Sequence, residues 1–152
     1  MKKLKSAAIC VLLSIFCITT AAQISHSSKA DYEKPALFSD LPEKLDANIT
    51  ALEALFDLPA GQTIQIPFGR SFTLQGIIMS KSEANDINVK SVVIKSINRK
   101  GATLTFTRVR KNGNFSYIGR MLSYHHSDAF EIKLENGQYL LTKKKSLDII
   151  NE

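Results

Sequence analysis

Residues 102–122 read ATLTFTRVRKNGNFSYIGRML, and this stretch decides the fold because apolar and polar residues alternate on both sides of Asn112-Gly113. Asn-Gly between two alternating runs is typical of a two-residue β-hairpin connection, in which both turn residues adopt positive φ. Such a turn fixes the register of its two strands. Counting outward from the turn predicts four cross-strand pairs: Arg110–Phe115, Arg108–Tyr117, Phe106–Gly119 and Leu104–Met121.

One face of this hairpin is apolar, and we expect it to be buried. It carries Ala102, Leu104, Phe106, Phe115, Tyr117 and Met121. The opposite face is rich in threonine and is predicted to face water. An aromatic ring opposite a strand glycine can cover exposed backbone, so we predict that Phe106 covers Gly119.

A second hairpin is predicted by residues 129–143, which read AFEIKLENGQYLLTK and turn at Asn136-Gly137. The same counting pairs Leu134 with Tyr139 and Ile132 with Leu141 on a buried face. The alternate residues Glu131, Lys133 and Thr142 are predicted to point outward.

The rest of the chain completes a meander. Residues 62–69, 71–81 and 89–98 contain alternating or continuous apolar runs that are typical of strands. Before them, apolar residues at steps of four and three predict one amphipathic helix over residues 42–57. The predicted fold is mostly β with a minor α+β character. It is an antiparallel meander of six to seven strands, as a curved sheet or a small open barrel, with one N-terminal amphipathic helix packed on it.

The N-terminus has the pattern of a secretory signal peptide. Residues 1–22 combine a basic start, an apolar run from about Ala7 to Ile18 and small residues before Gln23. The apolar run is too short for a membrane-spanning helix, which needs about 20 residues. We therefore predict cleavage after Ala22, export to the periplasm or the cell exterior, and no membrane span in the mature chain.

The remaining chain divides into a linker and one domain. Residues 23–37 are polar and contain Pro35, which is typical of a flexible linker. Residues 38–152 are predicted to form a single β-rich domain that begins with the helix. Both cysteines, Cys10 and Cys17, lie in the signal segment, so the mature chain has no disulfide, no cysteine nucleophile and no thiolate metal ligand.

Charge is unevenly distributed along the chain. Residues 23–66 contain three basic and seven acidic side chains, whereas residues 67–152 contain fourteen basic and seven acidic ones. Residues 23–66 are therefore acidic and residues 67–152 are basic, so an anionic partner would be attracted to residues 67–152.

The stretch YHHSDAF, residues 124–130, places two histidines beside an aspartate. It lies between two predicted strands, where Ser127 and Asp128 are typical of a turn. In an extended strand His125 and His126 would point to opposite faces, and a zinc site needs at least three protein ligands. We therefore predict a turn without a metal, cofactor or catalytic role.

Alternate loops of an antiparallel meander share one end of the sheet. The NRKG loop (98–101), the YHHSD turn and the exit of the last strand are therefore predicted to be neighbours. Together they would form a basic surface of Arg99, Lys100, His125, His126, Lys143, Lys144 and Lys145. Such a surface attracts an acidic protein surface or an anionic glycan, whereas nucleic acid is disfavoured because no row of aromatic residues is evident for base stacking. Lysines that only protect loop ends and a strand edge are the alternative.

Three classes of function fit these features. The first is a small exported, non-catalytic binding or interaction module, which is favoured because the chain has loops and strand edges for partners and no reactive constellation. The second is an inhibitor or pro-region-like domain that acts on an exported enzyme. The third, less favoured, is a small hydrolase that uses His125 or His126 as a general base and needs a pocket beside it.

Overall fold

The computed structural model of the chain describes residues 34–82 and 88–150. Most of these residues belong to eight β-strands. The strands are β1 (Lys44–Asp46), β2 (Thr63–Phe68), β3 (Phe72–Lys81), β4 (Val89–Ser96), β5 (Thr103–Lys111), β6 (Asn114–Leu122), β7 (Asp128–Glu135) and β8 (Gln138–Lys145). The helical elements are α1 (Ile49–Glu53), the 3-10 helix Ala54–Asp57 and α2 (Ser146–Ile150).

All eight strands form one antiparallel sheet in the order β1-β8-β7-β6-β5-β4-β3-β2. The sheet curls into a half-barrel, and its two edges meet at one bridge, between Ala47 and Phe68. The predicted mostly-β meander is thus confirmed, with eight strands in place of six or seven. Within residues 34–82 and 88–150, no helix is long and apolar enough to cross a membrane.

The predicted N-terminal segments fall mainly outside the described residues. This is true of the signal peptide, 1–22, and of most of the linker, 23–37. The end of the linker is described and is bonded to the domain, because the Pro35 carbonyl accepts the N–H of Ser127 at 3.1 Å. The packed domain therefore includes Pro35, ahead of the predicted boundary at residue 38.

Both predicted hairpins are confirmed, including their registers. The first pairs Phe106 with Gly119, and the second pairs Leu134 with Tyr139. At Asn112-Gly113 the two turn residues have φ of 52° and 81°, as a two-residue connection requires.

The side chain of Ile132 lies closest to Gly119. A Cβ atom at this position would lie 2.6 Å from Cδ1 of Ile132 on the neighbouring strand β7, so glycine is required for Ile132 to pack there. The Phe106 ring stacks between Phe56 and Tyr117, with centroid distances of 5.6 and 5.8 Å. Phe106 pairs with Gly119 across the strands as predicted, and the side chain nearest to Gly119 is that of Ile132.

The predicted helix over residues 42–57 is only partly correct. Its first half contains strand β1, because Lys44–Asp46 pairs with residues 140–142 of β8. Helix α1 begins after Asn48, whose side chain accepts the N–H of Ala51 at 3.0 Å and thereby caps the first turn. The apolar spacing is shared by a strand and two short helical turns, because tertiary pairing overrides local helix preference.

Side chains fill the concave side of the sheet. The ring of Phe38, which precedes β1, is completely buried and packs edge-on against Phe130 with centroids 5.1 Å apart. Leu52 and Leu55 of the helical segment are also buried in this core. The segment before β2 is therefore an integral part of the core rather than a helix laid on a finished sheet.

Asp128 holds the start of this segment in place. Its two carboxylate oxygens accept the backbone N–H groups of Leu37 and Phe38 at 2.6 and 2.8 Å, and Asp128 itself is buried. A buried carboxylate requires such hydrogen bonds, and charge-assisted bonds are stronger than neutral ones. We call these two bonds the Asp128 clamp.

Replacing Asp128 with alanine is expected to destabilise the protein by about 3 kcal/mol, because two largely buried N–H groups lose charge-assisted hydrogen bonds. Asp128→Asn keeps one acceptor oxygen and should lose roughly half as much. Denaturant midpoints measure the difference. Asp57→Ala is the control, since Asp57 is an exposed aspartate, and it should stay within about 0.5 kcal/mol of the wild type. Equal losses for the two alanine variants would contradict the clamp.

Candidate functional site

The loops predicted to be neighbours lie at one end of the half-barrel, which we call the base end. A side chain at Gly101 of the NRKG loop would come within 3.1 Å of Ser123 Oγ, just before the YHHSD turn. Asp128, the last residue of this turn, pairs with Lys145 at the end of β8. The turn itself is present, and it is closed by a hydrogen bond from the His126 N–H to the Ser123 carbonyl at 3.2 Å. The three loop ends are therefore adjacent.

Two of the predicted basic side chains are engaged within the domain. Arg99 donates two hydrogen bonds to the carboxylate of Asp40, at 2.8 and 2.7 Å, and a third to the Leu37 carbonyl at 3.2 Å. Lys143 donates to the Leu41 carbonyl at 2.6 Å. Both cations therefore fasten the N-terminal segment to the base end.

The other five predicted residues form a sparser surface. Lys100, His125 and Lys145 are exposed, whereas His126 and Lys144 are half-buried. The base end keeps a basic character, but fewer of its cations face solvent than the sequence predicts.

The histidine turn contains a serine–histidine contact. Nδ1 of His126 lies 2.8 Å from Ser123 Oγ, a distance at which an imidazole can act as a base toward a hydroxyl. Ser123 is only 1% exposed, however, so a substrate carbonyl has no access to its oxygen, and Asp128 is committed to the clamp. This geometry favours a role in closing the turn. In the described part of the chain, no three His, Cys, Asp or Glu residues are arranged to hold a metal ion.

A more distinctive feature lies at the opposite end of the sheet, near the hairpin turns. The ladder between β6 and β7 contains only four residue pairs and ends at Gly119–Ile132, although the strands have nine and eight residues. Beyond this pair each strand stays bonded to its other neighbour, β5 or β8. We call the opening between residues 114–118 of β6 and 133–135 of β7 the tip cleft.

Backbone hydrogen-bonding groups line the tip cleft. In an antiparallel sheet, alternate residues of a strand direct their N–H and C=O groups to opposite neighbours. Asn114 closes the first hairpin against β5, so the backbone groups of Phe115 and Tyr117 face β7. Glu135 closes the second hairpin against β8, so those of Leu134 face β6.

One of these backbone groups has a side-chain partner. The Tyr117 N–H donates to the hydroxyl of Tyr139 at 3.2 Å, and the two rings pack edge to face with centroids 5.3 Å apart. Because Tyr139 belongs to β8, its side chain reaches past β7 to β6. The hydroxyl therefore occupies the place that a carbonyl would take in a continued ladder.

Apolar side chains at the tip cleft are exposed. Phe115, Ile118 and Leu134 are 46%, 50% and 58% exposed. The sequence predicts that Leu134 is buried, and this is wrong because β6 is not paired beside it. Glu131 lies on the outer face as predicted but is 3% exposed, and Lys133 Nζ lies 2.7 Å from its carboxylate and offsets the charge.

Two arginines border the cleft on the side of β5. Cζ of Arg108 and Cζ of Arg110 lie 4.5 and 5.8 Å from the ring centroid of Phe115. Arg108 also donates to Glu53 at 3.0 Å, and this hydrogen bond lowers the pKa of Glu53 below its ordinary value of 4.5. Burial, helped by a hydrogen bond to Glu53, raises the pKa of Tyr117 above its ordinary value of 10.0. Arg110 is exposed and has no carboxylate partner among the described residues.

The sequence does not identify the tip cleft. Alternation of apolar residues continues to the ends of β6 and β7, and nothing in it indicates that pairing stops at Gly119. One feature of the sequence does draw attention to this end of the sheet. The predicted register places Arg110 directly opposite Phe115, and this puts a cation beside an aromatic ring at the end of a hairpin.

Comparisons of the chain with protein-family models, with curated proteins and with solved structures find no match. The fold and the geometry of its two ends are therefore the observations from which a function is inferred.

Glu53→Gln is expected to destabilise the protein at neutral pH and to have little effect in acid. The folded pKa of Glu53 is lowered, so the carboxylate contributes stability above its ordinary pKa of 4.5 and loses this contribution as the pH falls through the lower folded value. Because Glu53 and Arg108 are both partly exposed, Glu53→Gln should lower the free energy of unfolding at neutral pH by at most about 1 kcal/mol.

Denaturant melts at about pH 7 and about pH 3 measure the change in the free energy of unfolding that Glu53→Gln causes. In an Arg108→Gln background, this change should depend less on pH. A difference between wild type and Glu53→Gln that is the same at both pH values would contradict the coupling.

Proposed function

We propose that this protein is a small exported, non-catalytic interaction module that binds an extended polypeptide segment at the tip cleft. The observation that carries the proposal is the interrupted ladder between β6 and β7, which leaves strand-edge groups and exposed apolar side chains side by side. Export is supported by the signal-peptide pattern of residues 1–22.

Strand addition uses both kinds of group found at the cleft. Main-chain hydrogen bonds give an added strand its affinity, and side-chain contacts give specificity. The backbone groups of Phe115 and Leu134 are directed into the opening, and the side chains of the same residues are about half exposed. Proteins ordinarily protect a free strand edge with charges, bulges or a covering segment. An edge that instead groups apolar side chains is typical of an interaction site.

The base end supports a partner contact less well. Arg99 and Lys143 bond to the N-terminal segment, so an anionic partner there would depend on Lys100, His125 and their half-buried neighbours. A hydrolase centred on His126 is disfavoured by the burial of the neighbouring serine hydroxyl.

Selection of displayed random peptides on the mature protein tests this function. Enriched peptides should lose at least about tenfold in affinity for Leu134→Ser, because this change removes apolar contact at the cleft. Met79→Ser on β3 is the matched control, since Met79 is 53% exposed and Leu134 is 58% exposed. Fluorescence anisotropy measures both affinities.

Amide exchange locates the bound peptide, which should slow exchange at Phe115 and Leu134. Equal losses of affinity for the two serine variants, or protection confined to residues 98–101 at the base end, would place the contact elsewhere and overturn the proposal.

A further inference from the structure

The chemistry of the tip cleft also indicates what occupies it. We infer that an acidic extended segment of a partner protein pairs with β6 and displaces the Tyr139 hydroxyl from the Tyr117 N–H. This inference rests on the function proposed above and adds two elements to it, the charge of the partner and the role of Tyr139.

The Tyr139 hydroxyl is a substitute for a strand carbonyl. Continuing the register two residues beyond Gly119–Ile132 would pair Tyr117 with Leu134, whose carbonyl would accept the Tyr117 N–H. In the structure Tyr139 Oη accepts it at 3.2 Å, in a partly buried place. An unsatisfied N–H is unfavourable there, so the hydroxyl stabilises the protein while the cleft is empty.

An incoming strand can take over this hydrogen bond. The distance of 3.2 Å is at the long end of the range for N–H···O bonds, and a peptide carbonyl can approach more closely. The same strand would also bond to the backbone of Phe115, which pairs with Arg110 of β5 but with no residue of β7 in the described chain. Displacement therefore exchanges one long hydrogen bond for at least two ladder bonds.

Basic side chains of β5 lie next to β6, one of the two strands that border the tip cleft. Arg108 is neutralised by Glu53, whereas Arg110 and Lys111 are exposed, and Arg110 has no carboxylate partner in the described chain. A carboxylate of an incoming segment beside Phe115 would find Arg110 across the ring. Arginine binds a carboxylate through two parallel hydrogen bonds, so charge complementarity favours an acidic segment.

Two synthetic peptides test the charge of the occupant. One alternates valine and glutamate and the other alternates valine and lysine, so both favour an extended strand and they differ in charge. The wild type should bind the acidic peptide at least about tenfold more tightly, and this preference should fall as salt rises. Arg110→Gln should remove most of the preference. Arg70→Gln, which alters an exposed arginine between β2 and β3, should retain it.

Tyr139→Phe tests the displacement. Removing the hydroxyl leaves the Tyr117 N–H without its acceptor but keeps the ring, so the acidic peptide should bind about fivefold more tightly, equivalent to about 1 kcal/mol. The Tyr117 amide should also exchange faster in the unbound variant. Tyr124→Phe alters a tyrosine that is 79% exposed in the base-end turn, and this matched control should change neither quantity.

The outcomes separate this inference from the proposed function. Two further peptides carry N-methyl groups on the backbone of the acidic peptide, one at its valines and the other at its glutamates. At least one of them should fail to bind, and full binding by both would overturn strand addition itself. Equal affinity for the acidic and basic peptides would overturn the acidic assignment alone. Unchanged affinity and exchange in Tyr139→Phe would overturn the displacement alone. Self-association of the protein that the acidic peptide reverses would make a second copy the occupant and overturn the assignment to a partner.

Discussion

The hydrogen bonds from the Leu37 and Phe38 amides to the Asp128 carboxylate are the constraint on which the rest of the structure depends. They fix the N-terminal segment at the base end, where Phe38 closes the core against Phe130. With the segment fixed there, Lys44–Asp46 lies along β8 as an eighth strand and the helical segment covers the concave face. Asp128, which stands beside two histidines in the sequence, thus has a structural role. The nearby cations Arg99 and Lys143 also bond to the N-terminal segment.

With the base end occupied in this way, the tip cleft is the place where we propose that a partner binds. The concave face is filled by the chain's own side chains, so the proposed partner would contact the rim of the half-barrel rather than its interior. At the rim, Gly119 admits the side chain of Ile132 over the backbone of β6, and beyond this pair the strands separate. The separation exposes Leu134 and Phe115 together with backbone groups of both strands. A single interruption of one ladder therefore produces both features that strand addition requires.

The sequence predicts the features that depend on neighbours in the chain and misses those that depend on distant partners. The Asn112-Gly113 turn fixes a hairpin register, because turn chemistry is local. Leu45 fits a helical spacing but lies in β1, because the edge of β8 is available to pair with it. Leu134 alternates like a buried residue but is exposed, because β6 is not beside it. Likewise Lys143 is predicted to face solvent, but the fold brings the Leu41 carbonyl within reach of its ammonium group.

Amide hydrogen exchange of the unbound protein, followed residue by residue by NMR, tests the open cleft most directly. An interrupted ladder predicts fast exchange at Phe115 and Leu134, whereas Gly119 and Met121 in the paired half of β6 should be protected close to the limit set by global unfolding. Tyr117, bonded only to a tyrosine hydroxyl, should lie between these extremes. Exchange at Phe115 and Leu134 as slow as that at Gly119 would show that β6 and β7 pair along their full length, and it would contradict both the cleft and the function inferred from it.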